Sequence, residues 1–347
     1  MNKDEVYMQR ALDLAELGRG RVSPNPMVGC VIVHGETIVG EGWHQVFGGP
    51  HAEVNAIQSV VDPSILSECT LYVSLEPCAH FGKTPPCADL IVKHGLKRVV
   101  VALEDPNPKV KTQGIKKLRD AGIEVTENVL VKEAASLNRR FLTVLTKKRP
   151  YVILKWAQTA DGFIARENFD SKWISNELSR KWVHRWRSEE DAILVGTNTV
   201  KYDNPQLNVR DWVGRDPVRL IIDRNLVLQG NGYNIFDGSQ KTICYTLKHV
   251  DSTDACEFVR VDAEDFLGSL LSDAENRAIQ SVMVEAGVTV LNAFMMQNLW
   301  DEARVFESTK TFERGIVAPR INAEVSETVN VIGDELKIYY HEQNQYR

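Results

Sequence analysis

The sequence predicts a fold of the α/β class, arranged as two domains that meet near residue 148. Short apolar, β-branched runs alternate with amphipathic helical patterns along the chain, as is typical of layered α/β domains. A polar, basic segment at 145–150 interrupts the alternation, which then restarts. The 347 residues are enough for two domains that each bury a core. We therefore predict domains at 1–147 and 148–347.

The first domain contains apolar runs at helical spacing and at strand spacing in turn. Residues 27–33 and 37–43 are joined by a short turn that contains glycine, which predicts a β-hairpin. Gly95 is expected to end the helix before it. The predicted helices are 5–17, 51–60, 86–94, 112–120 and 132–141, and the further strands are 71–75, 98–103 and 123–125.

The second domain repeats the alternation with different motifs. The predicted strands are 151–157, 192–195, 218–222, 241–245, 281–284, 302–306 and 336–340, and the predicted helices are 176–188, 263–272 and 288–297. These elements predict a second α/β domain of about 200 residues.

Composition and charge exclude several classes of protein. The formal net charge of −6 argues against the basic surface that nucleic-acid binding requires. The charged N-terminus does not resemble a secretory signal, and no apolar run approaches the roughly 20 residues that span a bilayer. Six cysteines are too few for a disulfide scaffold in a chain of this length. We expect a cytoplasmic protein with no nucleic-acid or membrane partner.

Three residues predict a zinc site. His51 lies at the start of one predicted helix, and Cys78 and Cys87 flank the start of another. Imidazole and thiolate are donors that zinc prefers, and a set of three protein ligands leaves a position for water, as in catalytic zinc sites. Zinc can lower the pKa of that water from 15.7 to about 7. We predict one Zn²⁺ per chain, and we interpret Cys30, Cys69, Cys244 and Cys256 as structural.

Glu53 is the predicted acid and base of this site. It follows the ligand His51 by two residues, so it can reach the metal-bound water without binding the metal. The order H-x-E and then P-C, with a second cysteine beyond, is the signature of zinc-dependent nucleobase deaminases. Taken alone, an H-x-E sequence is usually a solvated helix face and a lone cysteine a buried apolar residue.

The interval between the two cysteines is longer than in the general motif. Eight residues separate Cys78 from Cys87, where the general motif has two. We expect the extra residues to form a loop over the substrate, with His80 and Lys83 as donors. Lys83 would suit a phosphorylated substrate, and the alternative is a solvated loop lysine.

The motifs at 23–29, 49–53 and 76–87 resemble the deaminase half of the bifunctional riboflavin-biosynthesis family, the diaminohydroxyphosphoribosylaminopyrimidine deaminase/5-amino-6-(5-phosphoribosylamino)uracil reductases. The resemblance implies a cytidine-deaminase-like three-layer domain. It also implies that Asn25 and His44 line the pyrimidine pocket, with His80 and Lys83 contributing from the loop. The amide of Asn25 can donate to and accept from a heterocycle, although Asn25 could equally be a turn residue between two prolines.

The motifs at 155–162, 171–175, 196–200, 203–207 and 284–287 resemble the reductase domain of the same family, which is similar in fold to dihydrofolate reductase. The implied NADPH contacts are Ala157, Trp173, Thr199, Asp203, Gly287, Val288 and Thr289. The implied substrate contacts are Ser171, Arg187, Leu207, Arg210 and Glu285, and the implied catalytic groups are Lys155, Asp203 and Glu285.

Some of these residues have other interpretations. Arg187 could be a surface charge, Trp173 a core aromatic and Lys155 the end of a strand. Arg224 follows a predicted strand and could pair with the 2′-phosphate of NADP, or it could lie in a solvent-facing turn. Gly287 stands at a strand-to-helix junction, where glycine lets a pyrophosphate approach the backbone.

The resemblance implies two consecutive reactions on a phosphorylated pyrimidine. The first domain would hydrolyse the amine at C2 of 2,5-diamino-6-ribosylamino-4(3H)-pyrimidinone 5′-phosphate, and the second would reduce the ribosyl group to ribityl with NADPH. We also expect a homo-oligomer. One alternative is a nucleoside or tRNA deaminase fused to an unrelated reductase, and another is a ligand-binding protein without catalytic activity.

Overall fold

The computed structural model describes residues 2–79, 85–106, 112–230, 232–344 and 346. These residues form two compact units: one ends at Lys147 and also includes Tyr346, and the other begins at Lys148. The polar segment at 145–150 is partly helical, because the last helix of the first unit continues to Lys147. No helix in the described ranges is long and apolar enough to cross a bilayer.

The first unit is built on a five-stranded sheet in the order β2-β1-β3-β4-β5. Its strands are β1 (Gly29–His34), β2 (Thr37–Trp43), β3 (Thr70–Val73), β4 (Arg98–Val101) and β5 (Glu124–Thr126). Its helices are α1 (Lys3–Glu16), α2 (Ala52–Ser59), α3 (Cys87–His94), α4 (Gln113–Asp120), α5 (Val131–Leu137) and α6 (Arg139–Lys147).

Alternate side chains of β1 enter two different cores. Cys30 and Ile32 pack into a cluster with α2, α3 and α4, while Val31 and Val33 pack into a second cluster with α1 and α5. Because successive strand residues point to opposite faces, helices cover both faces of this sheet. The unit therefore has three layers, and the predicted hairpin of β1 and β2 is present as an antiparallel pair.

Local sequence explains where the helices begin, end and pack. Asn2 and Glu5 form a reciprocal capping box at the start of α1. Gly95 ends α3 in the left-handed conformation, with φ of 64°. Gly42 allows α2 to lie close against β2, because a Cβ atom at this position would stand 2.3 Å from the backbone N of Ala56.

The single helix predicted over 132–141 is wrong: the chain forms α5 and α6 with a break at Asn138. The side chain of Asn138 is buried, accepts from the backbone N of Met27 at 2.8 Å and donates to the Met27 carbonyl at 2.9 Å. This pairing ties the helical break to the segment that leads from Asn25 into β1. It is a tertiary contact, so the helical pattern of the sequence does not reveal it.

The second unit is built on a nine-stranded sheet in the order β11-β10-β9-β8-β12-β6-β13-β16-β15, with a separate pair of β7 and β14. Its strands are β6 (Tyr151–Gln158), β7 (Phe163–Ala165), β8 (Ala192–Gly196), β9 (Val218–Ile222), β10 (Thr242–Thr246), β11 (Glu257–Arg260), β12 (Ser281–Val284), β13 (Glu302–Glu307), β14 (Ile316–Val317), β15 (Val325–Val331) and β16 (Asp334–Tyr340). Its helices are α7 (Glu177–Glu189), α8 (Thr197–Asp203), α9 (Phe266–Asn276) and α10 (Val288–Met296).

The large sheet is parallel from β11 to β13, and β16 and β15 continue it in antiparallel pairing. Helices α9 and α10 pack on one face, and α7 packs on the other. The predicted α/β class is confirmed. Because β9, β8, β12 and β6 are neighbours, the segments that follow β9, β8 and β12 emerge at the same edge of the sheet, where α/β proteins bind ligands.

Replacing Asn138 with Ala should lower the free energy of unfolding by about 2–3 kcal/mol, since the buried N–H and carbonyl of Met27 would both lose their partner. Urea denaturation followed by circular dichroism measures the change. The control is Gln58→Ala, which removes an exposed amide from α2 and should cost less than about 0.5 kcal/mol. Equal stability of the two variants would contradict this role of Asn138.

Candidate active sites

The metal cluster of the first unit comprises His51, Cys78 and Cys87. His51 directly precedes α2, and Cys87 is the first residue of α3. Nδ1 of His51 lies 3.6 Å from Sγ of Cys78 and 3.3 Å from Sγ of Cys87, and all three donor atoms lie within 4.8 Å of one another. Zn–N and Zn–S bonds in a tetrahedral site imply N···S separations of about 3.6 Å. The donors therefore fit a zinc ion in both type and spacing.

Within the described ranges, no fourth His, Cys, Asp or Glu joins the metal cluster. A site with three protein ligands keeps a coordination position for water or substrate. The backbone N–H of Cys87 donates to Sγ of Cys78 at 3.3 Å. Hydrogen bonds from Cys87 and from His51 lower the pKa of the Cys78 thiol, which favours the thiolate that binds zinc.

Glu53 lies in the first turn of α2, beside the metal cluster. Its side chain is buried, with 3% of the residue exposed. Burial and the negative charge of Cys78 raise the pKa of Glu53 to about 7. A carboxyl group with a pKa close to the working pH can both take up and release a proton. The structure thus places a suitable acid–base group beside the predicted ligands.

Asn25 and His44 form a hydrogen-bonded pair next to the metal cluster. Nδ1 of His44 lies 2.9 Å from the carbonyl of Pro50, which can only accept, so this nitrogen carries the proton. Nε2 of His44 must then accept the bond from Nδ2 of Asn25, at 3.0 Å. Burial lowers the pKa of His44, which keeps the ring neutral. Its ring lies 5.7 Å from that of His51.

Two predicted residues of this site, His80 and Lys83, lie outside the described residues. Most of the loop predicted between Cys78 and Cys87 also lies outside the described residues. Their contacts with a substrate remain predictions.

Glu76 is a residue of this site that the motif analysis missed. Its buried carboxylate accepts backbone N–H groups from four residues, at 3.0–3.3 Å: Asp105, Thr112, Gly114 and Ile115. Gly114 is required here, because a Cβ atom would stand 1.9 Å from the Pro77 carbonyl. Glu76 therefore fixes the start of α4 against the backbone that leads to Cys78. The sequence offered one indication of this role: Glu76 directly precedes Pro77 and the ligand Cys78.

The second unit contains a cavity of about 810 Å³ at the edge where β8, β9 and β12 end. Every residue predicted for the reductase site lines this cavity. These residues are Lys155, Ala157, Ser171, Trp173, Arg187, Thr199, Asp203, Leu207, Arg210, Glu285, Gly287, Val288 and Thr289. They come from segments far apart in the sequence, which the sheet brings together.

A buried ion cluster of Lys155, Arg187 and Glu285 lies in this cavity. Arg187 binds the Glu285 carboxylate in a bidentate manner, with Nε–Oε1 and Nη2–Oε2 distances of 2.9 and 3.0 Å. Nζ of Lys155 lies 3.6 Å from Oε2 of Glu285. Burial alone would raise the pKa of Glu285, but the two cations outweigh it and hold the pKa at about 2. Burial lowers the pKa of Lys155, and the charge of Glu285 opposes this.

The structure excludes the alternative interpretations of three residues in this cavity. Arg187 is not a surface charge, because its side chain is 11% exposed. Trp173 is not a core aromatic, because it is 57% exposed; the guanidinium of Arg180 lies 4.7 Å from its ring. Lys155 lies within β6 and not at its end, and it lines the cavity beside Glu285.

Asp203, at the end of α8, also lines the cavity. Oγ of Ser171 donates to Oδ1 of Asp203 at 3.3 Å, and burial raises the pKa of Asp203. The rings of Phe169 and Tyr202 stack beside this contact, with centroids 4.4 Å apart. Neither aromatic was predicted as a site residue: Phe169 lies in the loop between β7 and α7, and Tyr202 lies near the end of the short helix α8.

Gly287 and Arg224 occupy the same edge of the sheet. Gly287 is the N-cap of α10, and a Cβ atom there would meet nothing within 4 Å, so the backbone faces open space. Arg224 follows β9; its guanidinium lies 4.7 Å from the ring of Phe266, and Nη2 donates to the Ala263 carbonyl at 3.4 Å. Arg224 is exposed and lines the cavity.

Replacing Glu76 with Gln should weaken zinc binding about 10- to 100-fold, the usual cost of disturbing a group that orients metal ligands. The amide provides one acceptor oxygen where the carboxylate provides two, and its NH₂ group would face backbone N–H donors. Chelator competition measures the zinc affinity. Glu68→Gln, at an exposed carboxylate of the same unit, is the control, and equal affinities in the two variants would exclude the role assigned to Glu76.

Comparisons with known proteins match both units. A family model of the cytidine and deoxycytidylate deaminase zinc-binding region matches residues 1–103, and a model of the RibD C-terminal domain matches residues 150–312. The riboflavin biosynthesis protein RibD of Aquifex aeolicus is 39% identical over 350 residues, covering 97% of this chain and 98% of the relative. RibD of Bacillus amyloliquefaciens is 41% identical and covers 87% and 84% of the two chains.

Solved structures agree with these matches. The diaminohydroxyphosphoribosylaminopyrimidine deaminase/5-amino-6-(5-phosphoribosylamino)uracil reductase of Thermotoga maritima superposes with a TM-score of 0.91 at 41% identity, covering 97% of this chain and 98% of that one. RibD of Acinetobacter baumannii gives 0.88 at 33% identity, with the same coverage.

The predicted fold class, with a deaminase-like first domain and a reductase-type second domain, is confirmed. The alternative of a nucleoside or tRNA deaminase fused to an unrelated reductase is wrong, because the relatives match along both halves. The chain therefore belongs to the RibD family of riboflavin biosynthesis proteins and is a bifunctional deaminase and reductase.

Proposed function

We propose that residues 1–147 deaminate 2,5-diamino-6-ribosylamino-4(3H)-pyrimidinone 5′-phosphate at C2, and that residues 148–347 then reduce the ribosyl group to ribityl with NADPH. The observation that carries this proposal is that one chain combines the metal cluster and Glu53 with a cavity that holds the Lys155–Glu285–Arg187 ion cluster. The near full-length similarity to the Thermotoga maritima deaminase/reductase supports the substrate.

In the deamination, His51, Cys78 and Cys87 would hold the zinc ion. When bound, zinc supplies a water molecule that is acidic enough to act as a nucleophile at neutral pH. Glu53 would accept a proton from the attacking water and deliver protons to the ring nitrogen and to the departing ammonia. The balance is one water consumed and one ammonia released for each C2 amine that becomes a carbonyl.

Asn25 and His44 orient the pyrimidine. Because one N–H of the Asn25 Nδ2 group donates to His44, the second N–H and the Oδ1 atom remain for the substrate, to donate to a ring nitrogen or to accept from an amine or a ring N–H. The Pro50 carbonyl fixes this orientation through the His44 ring. We propose that His80 and Lys83 complete the pocket and that Lys83 binds the 5′-phosphate.

In the reduction, NADPH supplies a hydride for C1 of the ribose when it is bound. The open backbone at Gly287, at the N-terminus of α10, suits its diphosphate. The further cofactor contacts would be Ala157, Trp173, Thr199, Asp203, Val288 and Thr289. We also propose that Arg224 pairs with the 2′-phosphate, as arginine does in other NADP enzymes.

Opening the ribose ring requires a proton at the ring oxygen. Glu285 cannot provide it, because its pKa of about 2 keeps it ionised. Lys155 is the better donor, since burial lowers the pKa of its ammonium group and makes it a stronger acid. Asp203, whose pKa is raised by burial, also lines the cavity, and we propose it as a second proton donor.

The substrate phosphate would lie against Arg210. The side chain of Arg210 is 48% exposed; its Nη1 donates to Oδ1 of Asn208 at 3.3 Å, and its Nε lies 3.9 Å from Oδ2 of Asp211. Arg187 is engaged with Glu285, so it contributes charge more than direct bonds. Ser171 and Leu207 would contact the remainder of the substrate.

We propose further that the enzyme is cytoplasmic, acts only on small molecules without a nucleic-acid or membrane partner, and forms a homo-oligomer. The net charge of −6 supports the absence of a nucleic-acid partner. Sedimentation analysis of the purified chain tests the oligomeric state.

The Glu53→Gln variant should retain zinc but lose deamination by about 10²- to 10⁴-fold, the usual contribution of a general acid–base group. Reduction of the deaminated substrate should be unchanged. Zinc content, ammonia release and NADPH oxidation on the pyrimidine phosphate measure the three properties. Normal ammonia release by the variant would refute the role of Glu53, and absence of both activities in the unmodified chain would refute the proposed function.

The rate of reduction should fall at alkaline pH as Lys155 loses its proton, at a pH below the ordinary lysine value because burial lowers this pKa. In Glu285→Gln the alkaline fall in the rate should begin at a lower pH, because the variant lacks the negative charge that raises the pKa of Lys155. The pH dependence of kcat for NADPH oxidation measures the shift. Lys201→Met, at an exposed lysine of α8, should leave the profile unchanged, and an alkaline fall at the same pH in Glu285→Gln would rule out Lys155 as the titrating group.

A further inference from the structure

His184 lines the reductase cavity, yet the mechanism above does not use it. It lies on α7 three residues before Arg187, so both side chains project from the same face of the helix. The residue is 3% exposed, whereas Arg210 beside it is about half exposed. A polar ring buried at this depth needs partners for both nitrogens.

Both nitrogens of His184 bind the segment that carries Arg210. Nδ1 lies 3.4 Å from the backbone N of Arg210, which can only donate, so Nδ1 is the acceptor. Nε2 then carries the proton and lies 3.3 Å from Oδ2 of Asp211. Burial and the guanidinium groups of Arg187 and Arg210 lower the pKa of His184 to about 4. The ring is therefore neutral at physiological pH, as the bond to Arg210 requires.

A second contact fixes the same segment to α7. Nη1 of Arg187 donates to the carbonyl of Asn208 at 3.2 Å, and Nη1 of Arg210 donates to the Asn208 side chain at 3.3 Å. Residues 208–211 are thus held at both ends by one helix face. Without His184, the N–H of Arg210 and the carboxylate of Asp211 would both lose their partner on α7.

We propose that His184 is a positioning residue, which holds the backbone of Arg210 and the carboxylate of Asp211 so that the Arg210 guanidinium faces the substrate phosphate. This inference rests on the proposed function, in which Arg210 binds the 5′-phosphate. His184 acts through Arg210 and makes no contact with the substrate itself.

Three substitutions separate the two bonds of the ring. His184→Phe keeps the ring volume and loses both bonds, His184→Asn can retain an acceptor near Nδ1, and His184→Gln can retain a donor near Nε2. Steady-state NADPH oxidation is measured with the 5′-phosphorylated substrate and with its dephosphorylated counterpart. Lys181→Gln, at an exposed lysine on the same helix, is the matched control and should leave all constants unchanged.

His184→Phe should raise KM for the phosphorylated substrate about tenfold, the size expected for lost hydrogen bonds that orient a charged group. The KM for NADPH and the kinetics of the dephosphorylated substrate should stay within about twofold. His184→Asn should recover most of the loss, because it preserves the bond to the Arg210 N–H. Equal losses on both substrates, or an increased KM for NADPH, would show a general structural role and overturn the proposal.

The double variant with Arg210→Ala tests whether His184 acts through Arg210. If it does, His184→Phe should add nothing to the effect of Arg210→Ala, as expected for coupled residues. If the double variant instead raises KM by the product of the two single-variant factors, the proposal is overturned. If Arg210→Ala leaves KM for the phosphorylated substrate unchanged, the assignment of Arg210 fails and this inference with it, while both catalytic activities of the chain still stand.

Discussion

Each candidate active site depends on a buried carboxylate and on whether the protein satisfies it. Burying an unpaired charge is costly, so such groups are paired, hydrogen-bonded or neutralised. Glu285 is paired with two cations and Glu76 accepts four backbone N–H groups. In Glu53 burial prevails instead and brings the pKa to about 7. The satisfied carboxylates fix the architecture, while the one poised near neutrality is free to exchange protons.

In both sites, side chains also bind backbone groups of the segments that carry the functional residues. In the first unit, Asn138 binds the backbone of Met27, His44 binds the Pro50 carbonyl, and Glu76 binds the start of α4. In the second, two residues of α7 bind the segment at 208–211. Such bonds restrict the rotamers of neighbouring functional side chains, and this preorganisation is what a catalytic constellation needs.

The extent of prediction from sequence follows from the range of the interactions involved. The hairpin of β1 and β2 and the end of α3 at Gly95 depend on local patterns and were predicted. The edge strand β15 is largely exposed and has few apolar residues, and α8 spans seven residues, so neither has a strong pattern. The metal ligands were found because three side chains within 37 residues follow a fixed motif. More than a hundred residues of sequence separate Lys155 from Glu285. Only the family resemblance predicted that these two residues and Arg187 belong to one site, because their proximity depends on the order of the strands in the sheet. Glu76 and His184 escaped notice because their partners lie in other segments: backbone N–H groups for Glu76, and the Arg210 N–H and the Asp211 carboxylate for His184.

The lining of the reductase cavity differs in charge from the molecule as a whole. The chain carries a formal net charge of −6, yet six lysines and arginines line the cavity against three carboxylates. Low-dielectric walls focus such a local field outward along the opening of a cleft. A doubly charged phosphate ester would therefore be repelled weakly by the distant surface and drawn in at short range. Salt screens long-range electrostatic forces more than direct contacts with the cavity wall. Ionic strength should therefore change the association rate of anionic ligands more than their dissociation rate.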